Sequence, residues 1–194
     1  MGGRQKALLD VGGRPILDRQ LDVLRTLADP IFIVGSDAPA WAARGLEAVA
    51  DEIPGCGALG GIYTAIVRSP RDRTIVIACD MPYVSLPLLH HMATLEADIV
   101  IPRSRRGLEP LCAIYARSCA SAIRQRLERG ELEAAKLPEG LRVEEIGAGA
   151  LEAFGPDGLL FVNVNTPHDY ERARTIVEPS SEARQQDRIM DNEA

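Results

Sequence analysis

Three short runs stand out in the alternation of apolar and polar positions: Ile31–Val34, Thr74–Cys79 and Asp98–Ile101. Each is continuous and rich in β-branched residues, the pattern of a parallel-sheet strand covered on both faces. Between them the period lengthens. Leu17, Leu21, Leu24 and Ala28 recur at helical spacing, with Pro15 placed for a first turn. Residues 58–68 and 86–95 read as two further helices. The second half adds a strand at Leu111–Tyr115 and a helix striped by Ala116, Ala120, Ile123 and Leu127, with Arg124, Arg126 and Arg129 expected outside. Another strand is expected at Leu159–Val162, followed by a helix that Thr166 caps, Pro167 opens and Val177 closes.

Strands alternating with helices predict an α/β fold, a three-layer, doubly wound, mostly parallel sheet. Residues 1–177 are expected to form one domain. The polar stretch 178–194 holds one Ile and one Met and is expected to be a disordered tail.

Composition narrows the function classes. Of 194 residues, 46% are apolar and 26% charged, which suits a globular chain with a sizeable core. The formal charge of −6 offers no broad cationic field, so nucleic-acid binding is disfavoured while a small phosphate ligand is not. Cys56, Cys79, Cys112 and Cys119 match no zinc spacing and read as free thiols. No leader or long apolar run is seen, so the expectation is a cytoplasmic protein without membrane attachment.

Four places carry candidate chemistry. Gly2 and Gly3 precede Lys6: glycine lets backbone amides approach a phosphate, and a lysine can neutralise charge on a leaving pyrophosphate. Taken alone, this is equally a frayed terminus with a solvated lysine. Asp80 follows the most strand-like run, at the carboxyl edge where open α/β sheets gather ligands, and can share Mg2+ with nucleotide phosphates. It can also simply cap the turn before Pro82. The glycine-dense stretch Pro54–Gly61 opens a helix, facing an anion or merely allowing close packing. Asp51, just before it, could accept from a purine N–H edge or serve a turn. His90, His91 and His168 are expected on helix surfaces.

The motifs in this order resemble the molybdenum cofactor guanylyltransferases, within the Rossmann-like nucleotidyltransferases. The resemblance rests on Met1-Gly-Gly-x-x-Lys6 with Gly13-Arg-Pro15, on Pro54-Gly-x-Gly-x-Leu-x-Gly61, on Cys79-Asp-Met-Pro82, and on Asn163-Val-Asn-Thr-Pro167. The first three are shared broadly by nucleotidyltransferases, and the last is characteristic of the molybdopterin branch. The resemblance implies Mg2+-dependent transfer of a guanylyl group from GTP to molybdopterin, and transient contacts with molybdoenzymes or other cofactor-biosynthesis proteins. It places Lys6, Gly2 and Gly3 at the triphosphate, Gly35 and Asp51 at the guanine, and Asp80 on the metal. Asn163, Asn165, Glu109 and Pro110 fall on the acceptor side.

Departures from the pattern qualify this. Family members carry a strand and a glycine-rich, arginine-bearing loop ahead of the position matching Met1, so the expected fold lacks its first strand and translation is expected to start upstream. Gln5 stands where Asp is usual, Gly35 where a polar base contact is usual, and the stretch 129–136 lacks paired arginines. Arg103, Arg105 and Arg106 are alternative phosphate contacts or a solvated turn. The rival functions are a molybdopterin cytidylyltransferase, a sugar- or alcohol-phosphate nucleotidyltransferase, and a non-catalytic binding relative.

Overall fold

The computed structural model describes residues 6–35, 41–156 and 159–177; the tail expected at 178–194 lies outside them. Thirteen elements position the site, beginning with α1 (Ile16–Leu24), β1 (Phe32–Val34), β2 (Glu47–Val49), α2 (Gly57–Arg68) and β3 (Arg73–Ile77). There follow α3 (Leu86–Thr94), β4 (Ile99–Ser104), β5 (Gly107–Leu108), β6 (Cys112–Ala116) and α4 (Cys119–Glu128). The chain ends in β7 (Val143–Gly147), α5 (Ala148–Leu151) and α6 (Pro167–Val177).

Strand periodicity builds three layers. In β4, Ile99 and Ile101 face a core shared with α2 and α4, while Val100 faces one shared with α3. In β6, Ala113 and Tyr115 join the first core and Cys112 and Ile114 the second. β4 pairs with β6, β7 and β5, and Ile99, Val100 and Ile101 are wholly buried, as a central strand requires. Parallel pairings join β1 to β2 and β4 to β7. β6 lies antiparallel between β3 and β4, so β3 and β4 run the same way, and the short β5 is also antiparallel to β4.

The sheet is in two pieces. Among the described residues, β1 pairs only with β2 and β3 only with β6. The fold is thus the expected α/β layer structure, with residues 31–34 and 74–78 lining a common cavity.

Several sequence expectations shift. Leu159–Val162 is not a strand: Leu159 N donates to Pro156 O and Val162 N to Leu159 O, which is turn geometry. Leu160, Phe161 and Val162 are buried consecutively, as a turning chain permits and an alternating strand does not. Ala116 belongs to β6, and Arg126 is buried instead of outside. Its guanidinium donates to the carbonyls of Glu131, Glu133 and Lys136, pinning the irregular segment after α4. Pro15 sits at the N-cap of α1, one residue ahead of its first turn. The cap of α6 is as expected: Asp169 N donates to Thr166 Oγ1, and Asp169 Oδ2 accepts from Thr166 N.

Among the described residues, no helix is long and apolar enough to cross a membrane.

Candidate active site

The loop after β3 carries Asp80, and a buried amide holds that loop. Gln20 of α1 is 3% exposed, and its Nε2 donates to Ala78 O and Met81 O, both at 2.8 Å. Val164 N donates to Asp80 O at 2.9 Å. The backbone on both sides of Asp80 is therefore fixed from two distant segments, while the carboxylate is left to project. Sequence reasoning missed Gln20. A polar residue inside an otherwise apolar helix face was its only signal.

Lys6 closes the group. Its Nζ donates to Asn165 Oδ1 at 2.5 Å and stands 3.9 Å from Asp80 Oδ2. Lys6, Asp80 and Asn165, separated by most of the sequence, thus share one small polar patch. Burial pushes the Asp80 carboxyl above its ordinary value, against the pull of the Lys6 ammonium. Burial and the Asp80 charge also push the Cys79 thiol up.

Gly35 and Asp51 lie at the carboxyl ends of β1 and β2, where Gly35 N donates to Val49 O. Asp51 is exposed, and nothing lies within 4 Å of where a Gly35 side chain would start. The glycine-dense stretch resolves into separate uses. A Cβ on Gly60 would meet Cys56 Cβ at 2.8 Å, so Gly60 serves packing. Gly61, by contrast, faces open space.

The acceptor-side candidates divide. Glu109 is half-buried, accepts from Ser104 Oγ at 2.7 Å and lies 3.8 Å from Arg106. Burial raises its carboxyl, with Ser104 and Arg106 opposing. Pro110 contributes its carbonyl to the Tyr115 hydroxyl, which makes it part of the frame. Asn163 Oδ1 is buried without a hydrogen-bond partner. It lines a cavity of about 310 Å³ with Ser104, Arg106, Phe161 and Arg172. Arg103 forms a bidentate pair with Glu145, and Arg106 donates to Phe161 O. Gly2 and Gly3 lie outside the described residues. His90 and His91 are exposed on α3, and His168 is exposed at the start of α6.

Polar groups thus gather at the carboxyl edge of an α/β sheet, where such folds bind ligands. Comparison with known proteins agrees. The sequence profile of the family described as "MobA-like NTP transferase domain" matches residues 1–142. A relative from Pelotomaculum thermopropionicum, named "Probable molybdenum cofactor guanylyltransferase", is 32% identical over 94% of this chain and 90% of its own. One from Desulfosudis oleivorans, named "Molybdenum cofactor guanylyltransferase", is 28% identical over 91% of this chain and 89% of its own. Among solved structures, molybdopterin-guanine dinucleotide biosynthesis protein A from Archaeoglobus fulgidus superposes with a TM-score of 0.72. It is 27% identical, covering 92% of this chain and 93% of that one. The chain belongs to the MobA-like NTP transferase family, and it is a nucleotidyltransferase.

Proposed function

We propose that this nucleotidyltransferase acts in molybdenum cofactor biosynthesis in the cytoplasm, moving a guanylyl group from GTP to molybdopterin. The observation that carries the reading is the convergence of Lys6, Asp80 and Asn165 at the carboxyl edge of the sheet. A cation and a carboxylate 3.9 Å apart suit a triphosphate with its metal, and the adjoining Asn163 and Asn165 offer polar contacts to an acceptor. The names of the relatives support molybdopterin as that acceptor.

Asp80 fits Mg2+ on its chemistry. It offers hard carboxylate oxygen, half-buried beside a lysine, and among the described residues no group of three His, Cys, Asp or Glu could cage an ion. A metal at Asp80 alone would complete its shell with water and phosphate, as Mg2+ does. Bound there, it would offset the charge of the phosphates.

In the reaction, an oxygen of the molybdopterin phosphate forms a bond to the α-phosphorus of GTP. The bond from that phosphorus to the β-bridging oxygen breaks, and pyrophosphate departs with the electron pair. Lys6 neutralises the triphosphate, and amides of Gly2 and Gly3 are assigned beside it from sequence. Gly35 and Asp51 flank the base, Asp51 accepting from the guanine N–H edge. Asn163, Asn165, Glu109 and Pro110 form the acceptor side, and transient contact with molybdoenzymes follows from the product's destination.

Pyrophosphate release with Mg2+, molybdopterin and either GTP or CTP tests the reading. Release from GTP alone is the expected result. Release from CTP and not GTP would overturn the guanylyl assignment, and nucleotide binding with no release would mark a binding module.

A further inference from the structure

The buried face of α1 carries one polar residue. Ile16, Leu17 and Leu21 are enclosed there, and Gln20 stands among them with 3% of its surface exposed. An amide taken out of water costs stability unless hydrogen bonds replace the water, so its partners show its use. A glutamine amide nitrogen has two hydrogens to donate, and here it has two acceptors, Ala78 O and Met81 O, each at 2.8 Å.

Those carbonyls belong to the first and last residues of a four-residue turn, Ala78-Cys79-Asp80-Met81. The closing bond of the turn itself, from Met81 N to Ala78 O, is 3.3 Å long, just beyond the usual range of about 2.7–3.2 Å. A turn closed so loosely does not by itself fix the direction of its third residue, Asp80. Gln20 ties both ends of it to one nitrogen on a helix. Val164 N holds the Asp80 carbonyl between them at 2.9 Å, and Ala78 N donates to Leu111 O at 2.8 Å.

α1 also supports the lysine. Ala7, next to Lys6, packs with Leu17 and Leu21 in one apolar cluster. One helix face therefore carries the segment of Lys6 on leucines and the turn of Asp80 on an amide, and the 3.9 Å between ammonium and carboxylate is set through it. Packing alone would be served by an apolar residue at position 20, as it is at 17 and 21. Holding a direction needs the amide, because apolar contacts are non-directional and hydrogen bonds are not.

We propose, resting on the reading of Asp80 as a metal ligand, that Gln20 is a positioning residue: it holds the turn so that the Asp80 carboxylate meets the metal ion that accompanies the nucleotide triphosphate. Groups that orient the ligands of a metal commonly change its affinity by about tenfold or more.

Calorimetric titration of the full chain with GTP, once with Mn2+ as the probe and once with EDTA, gives the gain in affinity that the metal supplies. Gln20→Met keeps the length of the side chain and removes both donors. It should cut that gain about tenfold and leave the affinity for metal-free GTP unchanged. Asp80→Ala should abolish the gain. Ile101→Ala, wholly buried in β4 and at least as destabilising, should keep it in full. Should Gln20→Met fail to fold, Gln20→Glu, of equal length and short of at least one donor, carries the same comparison. A full gain in the Gln20 variant beside a lost one in Asp80→Ala would overturn the role of Gln20 alone. Equal losses of metal-bound and metal-free affinity in the Gln20 variant, or a lost gain in Ile101→Ala, would overturn it too, as marks of general loosening. A full gain in Asp80→Ala, or no metal-dependent gain in the parent chain, would remove the metal reading of Asp80 and the role of Gln20 with it.

Discussion

The two sides of the sheet are built to different standards. On the β4 side, Ile99, Val100 and Ile101 are wholly enclosed between helices, with pairing strands on both flanks. On the β1 side, two three-residue strands pair only with each other among the described residues, and the cavity runs beside them. The candidate residues fall on both sides: Asp80 follows β3, whereas Gly35 and Asp51 follow β1 and β2.

The largest effect expected at this boundary is on chemistry. Asp80→Ala should lower pyrophosphate release by about 100-fold or more with the fold retained, as measured by steady-state kinetics beside circular dichroism. Unchanged turnover would remove Asp80 from the site. In the solid half, Ile101→Ala should cost about 3 kcal/mol in urea unfolding. Ile33→Ala should cost at least about 1 kcal/mol less, because Ile33 already adjoins the cavity and has fewer contacts to lose. Equal costs would erase the contrast between the halves.

The joint comes next. Gln20→Leu takes the side-chain donor from the Met81 carbonyl and leaves Ala78 O with Met81 N, and it should cost about 1–3 kcal/mol, with faster amide exchange around residues 78–81. Thr166→Ala removes the cap of α6 and should cost about 1 kcal/mol in the same assay.

The smallest effect concerns pH. Burial raises the Asp80 carboxyl in the folded state, so the folded chain holds that proton more tightly than the unfolded one. Its burial therefore costs nothing below the unfolded value of about 3.9 and destabilises increasingly as pH rises through the folded value. Asp80→Asn should melt slightly higher than the parent at neutral pH, with the gain fading in acid. A gain that grows in acid would show that the environment of Asp80 favours its charge.

What the sequence revealed follows from the same contrast. β4 and β6 were legible because enclosure on both faces writes a continuous apolar run, and β3, though only half-buried, because its run is β-branched. β7 was not read: in Val143-Glu-Glu-Ile-Gly147 only Ile146 is fully buried, and Glu145 faces out to pair with Arg103. Leu159–Val162 misled for the opposite reason, since it is apolar enough for a strand but buries itself as a turn. Lys6, Asp80 and Asn165 were singled out because each sits in a recognisable local motif. Gln20 was not, because its acceptors lie 58 and 61 residues away and no local pattern connects them.

The contact between Lys6 and Asn165 spans 159 positions of sequence. Such a closure comes late, after the loop entropy of nearly the whole domain has been spent. On the ribosome, where synthesis runs from the amino end, the earlier strands can form while this corner waits for the last helix to emerge. Nascent fragments that stop short of residue 163 would thus own most of the scaffold and none of the finished polar corner.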